Sequence, residues 1–197
     1  MILSALVGYA IGSLPLGYVA GRRWGGVDLR AVGSRNVGAT NMYRVSGARL
    51  GVAVMALDMA KGVLAVALSW ATLAEAVPVA AGVGAVAGHV YPVWLRGHGG
   101  KGVATACGAF ALLAPPATAI SAITFALAVW TTRVVSAGSL VACVTLPVAA
   151  ALTGATPTTV WGGVAVAALI VWRHRGNLSR LKRGTERRLA RKRVPHA

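Results

Sequence analysis

The sequence predicts an all-α integral membrane protein, a compact bundle of seven transmembrane helices, some of them short or re-entrant. Three observations carry this prediction. Hydrophobic residues make up 56% of the 197 and charged residues 12%, about half the charged share of a soluble domain, and mean hydropathy is +0.68. The 20 Lys and Arg fall only in windows 22–61 and 96–101, at Arg133, and in 173–193. Between these windows lie apolar stretches, and each long one is interrupted near its middle by turn or helix-breaking residues.

Residues 1–21 form an apolar run with no basic residue ahead of it and Arg22 and Arg23 just after. That is the reverse of a signal peptide's basic start, and it reads as a first membrane helix entering from outside. Stretches 50–95, 103–132 and 134–172 each leave one basic window and return to another, with central breaks at 75–78, at Pro115 with Pro116, and at 153–159. Each is therefore a hairpin. One helix and three hairpins give seven passages, with the N-terminus outside, the C-terminus cytoplasmic, and nearly every basic residue inside. Residues 103–114 are short of the roughly 20 that a full passage needs. A hairpin that dips in returns the chain to the side it left, as a crossing one does, so the orientation stands while the count is seven or five. Gly82, Gly84, Gly88 and Gly138 suit close helix packing. The chain reads as one membrane-embedded domain, 1–197. Residues 173–197 form a basic cytoplasmic tail whose Leu178, Leu181 and Leu189 rest on the inner leaflet.

The scarcity of acids narrows the chemistry. Asp28, Asp58, Glu75 and Glu186 are the only four and are scattered, which leaves no paired-carboxylate hydrolase site and no carboxylate cluster for a divalent ion. Cys107 and Cys143 sit in apolar stretches without a CxxC or a flanking His, and read as packing residues. Neither a metal nor a cofactor is expected. The net charge of +16 points to anionic lipid and phosphorylated substrates, with no nucleic acid, because the rest of the chain is apolar.

Three polar constellations remain. Residues 32–44, VGSRNVGATNMYR, combine glycines, hydroxyls, amides and arginines. Glycines let backbone N–H groups turn toward an anion, Ser34, Asn36, Thr40 and Asn41 add donors, and Arg44 binds phosphate oxygens bidentately. The plain alternative is a polar loop with a capping arginine. Residues 96–102, RGHGGKG, feed a helix N-terminus, so Gly99, Gly100 and Gly102 free N–H groups beside the point charge of Lys101. This is not a Walker A loop, since no Ser or Thr follows the lysine. Residues 173–177, RHRGN, offer His174 as general base or phosphate donor, with Asn177 one turn on, or else a simple interfacial anchor. Within the helices, Asp58 and Lys61 read as a neutralising pair and His89 as a packing histidine. Ser136 and Ser139, just after Arg133, read either as lining of the same cytoplasmic pocket or as serines of a packed membrane helix. The topology puts all three constellations on one membrane face, where a phosphorylated polar substrate can meet a lipid-soluble one.

At these residues the chain resembles the bacterial membrane family of acyl-phosphate-dependent glycerol-3-phosphate acyltransferases (PlsY). The resemblance rests on Gly12-Ser13-Leu14-Pro15, residues 32–44, Asp58-Met59-Ala60-Lys61-Gly62, Gly88-His89-Val90-Tyr91-Pro92-Val93, residues 99–105, Val135-Ser136-Ala137-Gly138 and residues 174–186. It implies transfer of a fatty acyl group from acyl phosphate to the 1-hydroxyl of sn-glycerol 3-phosphate, giving lysophosphatidic acid and phosphate, the first acylation of phospholipid synthesis. It also implies the bacterial inner membrane and a cytoplasmic active site. The expected partners are membrane lipids and the enzymes that supply acyl phosphate and use lysophosphatidic acid. By resemblance Ser34, Arg44, Lys101, His174 and Asn177 are catalytic. Asn36, Thr40, Asn41, Gly99, Gly100, Gly102 and Ser136 bind substrate or phosphate, and Glu186 supports the tail. The chain departs from the family at Arg35, where a glycine is usual, at Val37, and at Gly97-His98 in place of a frequent Phe-Lys.

Acyl phosphate is already activated, so direct attack by the glycerol hydroxyl is expected, with a substrate phosphate taking the proton and His174 as an orienting donor. The competing class is a small-molecule or lipid transporter, for which broken helices and glycine-rich turns are equally natural.

Overall fold

The first apolar run folds as two helices, α1 (Ile2–Ser13) and α2 (Leu16–Arg23), where the sequence reading has one. Pro15 has no N–H to carry the ladder onward and holds Leu14 extended, at φ −56 and ψ 121. The computed structural model describes residues 1–72 and 77–189; among them regular structure is helical, with no strand. A loop over 24–38 leads to α3 (Ala39–Ser46), and α4 (Ala48–Thr72) is the longest helix at 25 residues. Pro78 opens α5 (Pro78–Val90) in the first turn, where its missing N–H costs nothing. Glu75, placed in the break before it, lies outside the described residues.

A 3-10 turn (Val93–Leu95) and the glycine-rich segment lead into α6 (Val103–Leu113), which has 11 residues and is as short as expected. Pro115 then starts α7 (Pro115–Thr132) one residue later. Helix α8 (Val135–Leu152) is followed by a turn through Gly154 and by α9 (Pro157–Arg173), where the Thr156 hydroxyl accepts the Thr159 N–H at 3.3 Å. The tail begins with α10 (Arg175–Lys182) and continues to Leu189, whose N–H donates to the Arg133 carbonyl at 2.8 Å. Residues 190–197 of the expected tail lie outside the described residues.

Four segments are long and apolar enough to cross a membrane: Ile2–Arg23, Ala48–Ala71, Pro78–Leu95 and Val135–Leu152. Val103–Leu113 and Pro157–Arg173 are shorter apolar helices. Helix α1 lies on α5, α4 on α6, and α7 on α8. The first pair approaches so closely that a Cβ at Gly8 or Gly12 would strike the Ala81 or Ala85 carbonyl. Small residues permit this backbone contact, which supplies van der Waals attraction where lipid offers no hydrophobic drive. The main apolar cluster gathers Val66, Val86, Phe110, Leu146, Val166 and Ile170 from α4, α5, α6, α8 and α9. A smaller cluster, including Leu29, Met42, Val54 and Leu95, lies against the 24–38 loop and α3. Large apolar side chains such as Leu6, Ile123 and Leu152 point outward, as a lipid-facing surface requires.

Candidate active site

The 24–38 loop is held from within by Asn41 on α3. Its Nδ2 donates to the carbonyls of Leu29 (3.2 Å) and Val32 (3.1 Å), and its Oδ1 accepts the Ser34 N–H at 2.8 Å. Asn41 is 2% exposed, and its three hydrogen bonds spend its amide inside the loop, so in this geometry it braces Ser34. The Asn36 side chain accepts the Gly38 N–H at 2.9 Å, just before α3. Arg35 adopts φ 58, a left-handed backbone that glycine takes freely and a side chain takes at a cost. This is the position where the resembled family has glycine.

The glycine-rich segment is fastened on both sides. The Gly99 and Gly100 N–H groups donate to the Val90 (3.2 Å) and His89 (3.1 Å) carbonyls, while Arg173 donates to the Gly99 and Gly100 carbonyls at 3.2 and 3.3 Å. Their N–H groups are thus used in seating the turn. Donors for an anion pass to the start of α6, capped by Gly102 at φ 87. Lys101 Nζ donates to Asn177 Oδ1 at 2.6 Å. Asn177 Nδ2 donates to Glu186 Oε1 at 2.6 Å, Ser136 donates to the same oxygen at 3.0 Å, and Arg180 Nε donates to Oε2 at 2.6 Å. Arg44 donates to the Arg187 carbonyl at 3.2 Å. Glu186 therefore ties the tail to α8 and α10 beside Lys101.

Most of these groups meet at one cavity of about 820 Å³. Ser34, Asn36, Thr40, Asn41, Arg44, Gly99, Lys101, Gly102, Ser136, His174 and Asn177 line it. Gly100 is set behind this wall, against the His89 ring. Cations Arg35, Arg173, Arg180 and Arg187 join Arg44 and Lys101 on the polar side. The cavity also has apolar lining from Met55 and Met59 of α4, Cys107 of α6, Phe125 of α7, and Cys143 and Leu146 of α8. The two cysteines read as packing residues are thus cavity wall, and among the described residues no cluster of His, Cys, Asp and Glu could hold a metal.

Burial pushes Lys101 down to about 8; Glu186 works against this, and Arg180, Arg44 and Arg173 add to it. Burial, and then the Lys101 charge, lower His174 to about 4, so it is neutral at pH 7. His174 Nδ1 lies 2.8 Å from the Ile170 carbonyl, which can only accept, so the proton is on Nδ1 and Nε2 offers a lone pair. Nε2 is therefore placed to accept a hydrogen bond, which fits the general-base alternative of the sequence reading better than an orienting donor. Burial opposes ionisation of Glu186, but the hydrogen bonds from Asn177, Arg180 and Ser136 outweigh it and hold its pKa below the usual carboxylate value. Sequence reasoning placed Arg173 in the third constellation without a contact of its own, and left Arg180 and Arg187 in the basic tail. The only signal was Glu186, which needs a cation within reach.

A helical membrane protein whose phosphate-suited cationic cavity also has apolar lining belongs to the class of membrane-embedded enzymes that join a polar phosphorylated molecule to a lipid. The sequence model of the family described as Glycerol-3-phosphate acyltransferase matches residues 2–184, and the chain belongs to this family. It is 46% identical over 185 residues to the glycerol-3-phosphate acyltransferase of Myxococcus xanthus (strain DK1622), covering 93% of this chain and 96% of that protein. It is 46% identical over 190 residues to that of Anaeromyxobacter sp. (strain Fw109-5), covering 92% and 93%. Among solved structures it resembles PlsY (YgiH), an integral membrane glycerol 3-phosphate acyltransferase, in its glycerol 3-phosphate form, with a TM-score of 0.90 and 34% identity over 96% of this chain and 95% of that one. The lysophosphatidic acid form gives a TM-score of 0.88 at 32% identity, with the same coverage. The transporter alternative falls away.

Proposed function

We propose that the protein, an acyltransferase of glycerol 3-phosphate by family, takes its acyl group from acyl phosphate. The 1-hydroxyl of sn-glycerol 3-phosphate attacks the carbonyl carbon, the ester bond forms, the bond from carbonyl carbon to phosphate oxygen breaks, and inorganic phosphate leaves with the hydroxyl proton. The observation that carries this reading is that one cavity is lined by both cationic and apolar side chains. An activated donor needs no covalent enzyme intermediate, so positioning and charge stabilisation suffice. Lys101, Arg44 and the free N–H groups at the start of α6 hold the phosphates and offset their repulsion. Ser34, Asn36 and Thr40 line the same pocket and complete the donor set. His174 Nε2 accepts the hydroxyl and aims it, while Asn177 and Ser136 fix the geometry through Glu186.

We further read seven passages, N-terminus outside and C-terminus cytoplasmic, in the bacterial inner membrane, with the site on the cytoplasmic side. Tryptophan placement supports the orientation. Exposed Trp24, Trp94, Trp130 and Trp172 sit within a few residues of Arg22, Arg96, Arg133 and Arg173, and exposed Trp70 and Trp161 stand toward the other ends of α4 and α9. That is the pattern of two interfacial belts with the basic one inside. The pathway partners are the enzymes that supply acyl phosphate and consume lysophosphatidic acid. Purified protein given palmitoyl phosphate and glycerol 3-phosphate is expected to release lysophosphatidic acid and phosphate in equal amounts. Product from an acyl thioester but none from acyl phosphate would overturn the donor assignment.

A further inference from the structure

Beneath the phosphate turn lies a buried ionic cluster that the chemistry above does not use, although Asp58 and His89 reach the wall of the same cavity. Asp58 and Lys61, a turn apart on α4, are 3% and 4% exposed, and His89 near the end of α5 is 7% exposed. Lys61 Nζ lies 3.1 Å from Asp58 Oδ1 and donates to the Gly12 and Leu14 carbonyls at 3.2 and 3.1 Å. These carbonyls lie in the last turn of α1 and in the break that follows it. His89 Nδ1 completes the cluster, 3.0 Å from Lys61 and 3.4 Å from Asp58. The opposite edge of the same ring fills the space that a Cβ at position 100 would need. The His89 carbonyl, in turn, accepts the Gly100 N–H.

Burying two charges costs several kcal/mol before their attraction is counted, and well-packed apolar residues often do as well or better for stability. A neutralising pair is thus a poor way merely to fill a helix interface. This cluster does something further: it locks the His89 ring between α4 and the α1–α2 break, and the turn rests on that ring. Gly100 is required there because only a hydrogen fits over Nε2. Arg173 presses from the other side, so a shift of the ring shifts residues 99 and 100, and with them Lys101.

We propose that Asp58, Lys61 and His89 form the mount of the phosphate turn: they are positioning residues that fix where the Lys101 ammonium stands relative to α10. The inference rests on the reading that this turn serves phosphate. It is tested by the coupling between ring and turn. In Gly100→Ala the new methyl group meets the ring, and KM for glycerol 3-phosphate is expected to rise at least tenfold with kcat little changed. His89→Asn keeps a polar atom near Lys61 and removes the ring edge, so KM rises about threefold. The double variant returns to within about threefold of His89→Asn alone, because contacting residues couple. Asp58→Asn is expected to raise KM while kcat per folded enzyme is kept. Effects of Gly100→Ala and His89→Asn that multiply, or Asp58→Asn protein with less folded yield but unchanged KM, would overturn the mount. Direct titration of the same four variants with glycerol 3-phosphate reads the same coupling from binding alone. That keeps failure of the mount distinct from failure of the acyl transfer reading.

Discussion

Lys101 offers the sharpest test of how charge is used in this site, because its ammonium is partly desolvated and donates to Asn177 Oδ1. Burial brings its pKa to about 8, so its charge is lost as pH rises through that value. With a pKa near 8, about nine-tenths of the enzyme carries the ammonium at pH 7 and about one-tenth at pH 9, a tenfold fall in kcat/KM if only the charged form binds phosphate productively. Because kcat/KM reports the free enzyme and kcat the complex, the limb in kcat lies at higher pH, where bound phosphate holds the proton on. Lys101→Arg replaces a titrating ammonium with a guanidinium that stays charged. Its absolute rate is lower, since Arg is longer and cannot reproduce the Asn177 contact, but its profile is flat to pH 9.5. Lys101→Met loses a charge-assisted bond and is expected to drop kcat/KM by about a hundredfold or more at pH 7. The assay is initial-rate lysophosphatidic acid formation, corrected for spontaneous acyl phosphate hydrolysis at each pH. An alkaline limb that persists in Lys101→Arg, or Lys101→Met within threefold of the parent, refutes the role given to this residue.

His174→Ala removes an acceptor, so turnover is expected to fall about a hundredfold to a thousandfold; a loss well beyond about 10⁴, more than a general base usually contributes, would refute this orienting role. Glu186→Gln weakens the bonds that hold the tail to Ser136, Asn177 and Arg180, with a cost of about 1–2 kcal/mol that is visible as faster tryptic cleavage after Arg187 and Arg188. Arg35→Gly relieves the left-handed backbone at φ 58, so activity is kept and thermal stability rises by up to about 1 kcal/mol; a marked loss of substrate affinity would assign the Arg35 side chain a phosphate contact instead. Cys107→Phe narrows the apolar part of the cavity and is expected to reduce turnover of palmitoyl phosphate more than that of octanoyl phosphate in side-by-side rate measurements. Equal loss on both would contradict this part as the acyl path.

That the chain is a multi-pass helical membrane protein was legible because Lys and Arg are scarce in apolar stretches, with buried Lys61 of α4 an exception, so their windows set those stretches apart. The break at Leu14-Pro15 was not, since both residues fit an apolar run and hydropathy does not register a missing N–H. Ser34, Arg44, Lys101 and His174 could be gathered from the sequence because each sits in a polar island on one side of the hairpins. Composition names donors without naming their partners, however. Asn41, expected at the anion, lines the cavity but spends its amide on the loop, and His174 turns Nδ1 to the Ile170 carbonyl, a partner that composition does not name. Cys107 and Cys143 show the complementary blindness: an apolar cavity wall and an apolar core have the same residue types, and only coordinates separate them. Arg180 and Arg187 were hidden in the same way within a tail whose many cations all look alike until Glu186 selects Arg180.

The central claim is that one cavity holds both substrates across the junction of its cationic and apolar parts. A structure of the enzyme with glycerol 3-phosphate and a non-hydrolysable acyl phosphonate tests it most directly. The account predicts a phosphate or phosphonate oxygen within hydrogen-bond distance of Lys101 Nζ, the glycerol hydroxyl against His174 Nε2, and the acyl chain running between Met59 and Cys143. An acyl phosphonate seated outside this cavity, or a glycerol 3-phosphate that leaves Lys101 and Arg44 both untouched, would contradict it.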